Sequence, residues 1–238
     1  MKRMLLLACV VTLATSSALA AGYDKTEKTK LYTLRLRVPE PALAIPALNA
    51  EIMARWKTDS EGLKSEAAED KDADPDFNPF MLDTEWRVTF EDARLISMSA
   101  NSFIDENGAH PNGAFDTIVW DKQASRAVPL IALFAKDKAQ AALKAIAASA
   151  KASFLKWLTK EEGSPADPSQ ADDGIADEPG KLGHYALTHA KGGTKANGIV
   201  LLWGAGEVWP HVIGDVRLSI PASVFRADLA PEWKTQFE

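Results

Sequence analysis

The chain has 238 residues, 46% hydrophobic and 25% charged, with 27 Lys and Arg against 33 Asp and Glu for a net charge of −6. That length supports one sizeable core or two small ones. The acidic balance leaves no basic stripe to replace phosphate counterions and excludes nucleic acid as a partner, while a single cysteine excludes an internal disulfide framework.

The first twenty residues read as a signal peptide. Lys2 and Arg3 precede an apolar run from Met4 to Leu13, and Ala18-Leu19-Ala20 gives a small-residue cleavage site with Ala21 as the mature start. The run is short of the ~20 apolar residues that span a bilayer. Leu6-Leu7-Ala8-Cys9 offers an alternative lipoprotein reading through Cys9, but cleavage there leaves too short an apolar segment and strands Val10 to Leu13 at the mature terminus. Export to the periplasm or secretion is therefore expected. Loss of Lys2 and Arg3 leaves 25 of the 27 basic residues against 33 acidic ones, a mature net charge of −8.

Leu31 to Val38 alternates Leu34, Leu36 and Val38 with Arg35 and Arg37, the pattern of a half-buried strand. A helix is expected from Pro46, with Leu48, Ile52 and Trp56 on one face. Residues 59–78 are acidic and poor in large apolar side chains, so they read as a mobile loop. Asp70, Asp72, Asp74 and Asp76 mimic a calcium loop there, but Pro75 stands where the turn needs Gly and Met81 where the bidentate Glu belongs.

Glu85 to Phe90, Arg94 to Ile104 and Ala114 to Trp120 read as an antiparallel meander. An apolar connector, Val128 to Phe134, leads to a helix from Asp137 to Lys160, with Asp137 as its cap and Leu143, Ile146, Ala147, Ala150, Phe154, Leu155 and Leu158 as its apolar stripe. A second acidic loop covers 161–180. Strands are expected at His184 to His189, Gly198 to Trp203 and Asp215 to Ile220, followed by a short helix from Ala222 to Leu229. The fold class is α+β: antiparallel meanders packed with two main helices, in two similar-sized, intimately packed halves, 21–135 and 136–238.

Metal or nucleophilic chemistry finds little footing. His184 and His189 are an odd number apart, which puts them on opposite faces of a strand, and there is no HExxH or GxSxG motif. Carboxylates concentrate in the two acidic loops, which hold an acid/base pair poorly. Attention therefore falls on two turns. Asn107-Gly108-Ala109-His110-Pro111 forms a hairpin tip, in which His110 is open to three roles: a backbone-bonded loop residue, a partner contact or a catalytic base. Gly204 to Gly214 carries Glu207, Trp209, Pro210 and His211, with Trp209 either folded onto the core or presented to a partner.

These stretches together resemble the extracytoplasmic domain shared by RsiV-like anti-sigma factors and the N-terminal part of PdaC-like peptidoglycan deacetylases. Leu95 to Ser99 leading into Gly108-Ala109-His110-Pro111 resembles that family's Gly-Gly-Ala-His-Pro tip, with Asn107 where the first Gly is usual. Val128 to Phe134 is similar to its Leu-x-Asp-Leu-Phe segment. Trp203 to Pro221 resembles its strand, Tyr-Glu-x-x-Pro-Tyr turn, Gly and strand ending Ile-Pro: Glu207, Pro210 and Gly214 match, whereas Gly206 and His211 replace tyrosines. The catalytic domain of the deacetylases and the membrane span of the anti-sigma factors have no counterpart in these residues. The resemblance implies a non-enzymatic binding or sensing domain without a cofactor, whose partner is a lysozyme-like muramidase or cell-wall glycan. Its contact residues would be 107–111 together with Glu207, Trp209, Pro210 and His211. A cell-wall hydrolase or esterase using His110, and an envelope-assembly protein, remain as alternatives.

Overall fold

The computed structural model describes residues 22–73, 77–163, 167, 169, 174–178, 180–208 and 214–238. The signal segment 1–20 with Cys9, and Trp209, Pro210 and His211, lie outside the described residues.

Six strands form the first sheet in the order β1 to β6: β1 (Tyr23–Lys28), β2 (Tyr32–Val38), β3 (Phe80–Glu91), β4 (Leu95–Asp105), β5 (Asn112–Asp121) and β6 (Arg126–Ala127). The expected meander is present as β3, β4 and β5. The sheet is nevertheless mixed, because β2 pairs with β3 in parallel. A parallel pair needs a long crossover, and a short helix α1 (Glu40–Leu43) and a long helix α2 (Pro46–Ala73) supply it.

Helix α2 corrects the reading of 59–78 as a loop, since it stays helical to Ala73. Its buried stripe continues from Leu48 and Ile52 through Ser60, Leu63 and Ala67 at helical spacing, with the acidic residues turned outward. Two of those three positions carry small side chains, too slight to register as an apolar face in the sequence. Leu48 and Ile52 share a core with Leu36, Trp86, Met98 and Ile118 of the sheet; Leu63 and Ala67 pack with Leu34, Phe80 and Leu82.

The second sheet holds β7 (His184–Thr188), β8 (Gly198–Trp203) and β9 (Val216–Pro221), antiparallel throughout. Helix α3 (Ala139–Glu162) packs on β9, and its stripe of Leu143, Ile146, Phe154 and Leu158 meets Ile199, Leu201 and Ile220. Asp137 does not cap it: the N-cap is Lys138, without a side-chain hydrogen bond. Gly163 ends the helix in the left-handed region at φ 70°, its N–H donating to the Thr159 carbonyl at 3.0 Å. The helix expected over Ala222 to Leu229 is instead two 3-10 turns, Ala222–Val224 and Arg226–Asp228. Phe225 breaks it at φ −133°, which sends its ring into edge contacts with Phe134 and Phe237.

A register shift interrupts the β3–β4 pairing between Val88 and Phe90. Up to Val88 the apolar residues of β3 face α2; past the bulge Phe90 faces the other way and enters the α3 core with Leu95 and Val119. Strand β7 lies against β3, β4 and β5. The buried Ser97 hydroxyl accepts the Leu187 N–H at 2.8 Å, and the buried Tyr185 hydroxyl donates to the Val128 carbonyl. The α+β class is as the sequence indicated.

Candidate functional site

Strands β4 and β5 stay paired from Leu95–Asp121 out to Ile104–Asn112, so residues 105–111 form the exposed end of a long, rigid hairpin. Asn107 turns the chain at φ 60°, a conformation that Asn tolerates better than other non-glycine residues. Its N–H donates to Asp105 Oδ1 at 3.1 Å, and its side-chain amide donates to the Asn78 carbonyl at 2.6 Å. The tip is thereby moored to the chain entering β3. Gly108, Ala109, His110 and Pro111 are exposed. His110 Nδ1 lies 3.3 Å from the carbonyl oxygen of its neighbour Pro111.

The other expected turn lies beside the base of this hairpin. A Cβ added at Gly204 would meet the Gly113 carbonyl oxygen at 2.9 Å, and one added at Gly113 would meet Asp215 Oδ1 at 3.2 Å. Glu207 closes its own turn: its N–H donates to the Gly204 carbonyl at 3.1 Å and its Oε2 accepts the Gly204 N–H at 2.9 Å. Glu207 also lines a cleft with Lys181, His184 and Trp203. The Gly204–Glu207 turn thus lies against Gly113 of β5, just past the 107–111 tip, while the placement of Trp209, Pro210 and His211 lies outside the described residues.

The two flanks of the hairpin differ. Toward α2 lies a cleft of about 380 Å³ lined by Asp59, Glu66, Glu106 and Asp116 over Leu63 and Ile104. Desolvation, then the Glu66 charge and a hydrogen bond with Glu66, raise the Glu106 carboxyl above its ordinary range. Desolvation followed by the Asp116 charge does the same to Asp59, against the nearby Arg55. Arg55 holds Asp116 at 2.7 Å and Glu51 at 2.9 Å.

Away from α2 the open face of the sheet forms a polar groove of about 180 Å³. Register sets its floor: Arg37 pairs with Glu85, Glu85 with Asn101 and Asn101 with Phe115, one row across four strands. Arg37 reaches Asp83 at 2.8 Å and Glu85 at 3.2 Å, and Arg87 Nε donates to Glu85 at 2.8 Å. The Arg87 hydrogen bond, opposed by desolvation and helped by the Arg37 charge, lowers the Glu85 pKa. Arg217 of β9 stacks over the Phe115 ring at 4.6 Å. These residues were not singled out from sequence. Their signal was the Arg35/Arg37 alternation, which marks a polar face but not what stands across from it.

His189 is occupied locally, with Nδ1 2.9 Å from the Ala190 carbonyl oxygen and its ring 6.2 Å from that of Phe90. Among the described residues no group of three or more His, Cys, Asp or Glu is arranged to hold a metal ion, and no helix is long and apolar enough to cross a membrane.

No family model and no curated protein matches this chain. Its fold is similar to crystal structures of two DUF3298 family proteins. The member from Bacteroides fragilis NCTC 9343 is 14% identical with a TM-score of 0.53, over 90% of this chain and 94% of that one. The protein from Pseudomonas aeruginosa PAO1 is 14% identical with a TM-score of 0.56, over 89% and 93%. The likeness is one of fold.

Proposed function

We propose that this DUF3298-like fold serves as an extracytoplasmic binding protein without catalytic turnover, and that its partner is a cationic muramidase of the lysozyme type. The observation that carries this reading is the contact between the stem of the 107–111 hairpin at Gly113 and the Gly204–Glu207 turn. The two segments that most resemble the lysozyme-sensing domain of RsiV-like proteins are thereby neighbours, and rigid loops held side by side make a contiguous recognition surface. Charge supports the choice of partner, because Asp105, Glu106, Glu66 and Asp70 stand about the hairpin and complement a basic protein. His110, set against its own neighbour's carbonyl, shapes that surface as a contact residue.

Calorimetric titration of the secreted chain with a cationic lysozyme, alongside a bacterial lysis assay, tests the reading. Binding at micromolar concentration is expected, slower to form as salt rises, and weakened about tenfold by His110→Ala combined with Glu207→Ala. Absence of both binding and inhibition removes the muramidase. Binding of peptidoglycan fragments in its place, weakened by the same His110→Ala and Glu207→Ala pair, assigns the surface to glycan. Fragment turnover that disappears in His110→Ala makes the protein a hydrolase.

A further inference from the structure

The polar groove at the base of the hairpin has a chemistry unlike the rest of this acidic molecule. Arg37, Arg87 and Arg217 line it against only two carboxylates, Asp83 and Glu85. Both carboxylates are already engaged by arginines. Arg217, by contrast, has its nearest carboxylate, Asp215, at 3.8 Å. Its guanidinium carbon lies 4.6 Å over the Phe115 ring, and the planar fork of an arginine is suited to receive a carboxylate through two parallel N–H groups. Arg37 has both terminal nitrogens committed to those carboxylates and its Nε buried away from the groove, so it forms part of the floor and leaves ligand contact to the other two arginines. Phe103 stands in the same groove with 44% of its surface exposed, and Asn101 adds an amide that both donates and accepts.

The exposed guanidinium forks of Arg87 and Arg217, a bare aromatic face and an amide together specify the ligand. It must be anionic, rich in hydroxyl acceptors and apolar on one face. A volume of about 180 Å³ is below the ~300–1,000 Å³ of drug-sized sites, so it holds one ring and not a chain. We infer that this groove binds a carboxylated monosaccharide unit, with the carboxylate on Arg217 and Arg87, a hydroxyl on the Asn101 amide and the apolar face of the ring on Phe103. The site is distinct from the protein-contact surface of the loops and stands or falls apart from the muramidase reading.

Titrating the full secreted chain with glucuronate, glucose and acetate, followed by calorimetry and amide chemical shifts, tests this. Glucuronate is expected to saturate at the groove and to bind about tenfold more tightly than either glucose or acetate. Arg217→Gln and Phe103→Ala should each weaken glucuronate severalfold with unchanged circular dichroism. Arg217→Lys, which keeps the charge and loses the planar fork, should fall between wild type and Arg217→Gln. Asp59→Asn, on the opposite flank, should bind like the wild type. Lack of saturable glucuronate binding, equal binding of acetate or glucose, or full binding in Arg217→Gln each overturns the assignment.

Discussion

A single asparagine decides how the hairpin ends. Asn107 occupies φ 60° and ties its side-chain amide to the Asn78 carbonyl, 29 residues away. In sequence it was a departure from a glycine pattern; in the fold it supplies glycine's backbone freedom and an anchor that glycine lacks. Asn107→Ala should cost about 1–2 kcal/mol, from left-handed strain and the lost bond. Asn107→Gly keeps the backbone freedom and loses only the anchor, so its cost should be smaller. Urea midpoints, with hydrogen exchange at Ile104 and Asn112, should rank wild type above glycine and glycine above alanine. Equal losses in the two variants would show that the backbone conformation contributes nothing. The tip was legible as a hairpin from Gly, Asn and Pro between alternating segments. Its mooring was not, because no local pattern pairs position 107 with position 78.

At the scale of elements, helix α2 meets the hairpin through carboxylates at their rim and through aliphatic side chains beneath. Leu63 is 4% exposed in the segment that composition marked as a loop, so Leu63→Ala should destabilise the chain by about 2–4 kcal/mol, read as a fall in the urea midpoint. A true loop would yield no measurable change. The first half of α2 was readable from Leu48, Ile52 and Trp56. The second half was hidden because two of its buried positions, Ser60 and Ala67, carry small side chains that leave no apolar periodicity in the sequence. At the rim, Glu106 has its pKa raised above 4.5 by desolvation, then by Glu66 and Asp70. An acid held above its unfolded value favours the fold below that value and loses the contribution as pH rises through the folded pKa. Glu106→Gln should therefore raise the urea midpoint at pH 7 and leave it unchanged near pH 3. An equal gain at both pH values would locate the effect in packing and not in charge.

For the whole molecule, the question is whether two sheets make one cooperative body. The six-stranded sheet cannot be read from local patterns, because the parallel pairing of β2 with β3 depends on a crossover 41 residues long between Val38 and Phe80. That pairing also builds the groove: it alone places Arg37 beside Glu85. The bulge between Val88 and Phe90 was equally silent, yet it turns Phe90 from the α2 side into the core shared with α3. Phe90, Leu95 and Val119 bury themselves against the second half of the chain, and Ser97 receives the Leu187 N–H across the join. Ser97→Ala leaves that buried donor without an acceptor and should cost about 1–3 kcal/mol, and the loss should appear equally in probes of either sheet. Tryptophan fluorescence reports on Trp86 and Trp120 in the first sheet's core and on Trp203 in the other, whereas far-ultraviolet dichroism follows α2 and α3. Coincident urea transitions for the two signals, shifted together by Ser97→Ala, are expected of one two-state body. A fragment of residues 22–135 would expose Phe90, Leu95 and Val119 to water, so it should bind a hydrophobic dye and melt without a cooperative transition. A sharp, dye-free melt of that fragment would establish instead that the first sheet is a domain in its own right, and that the Ser97 bond joins two independent folds.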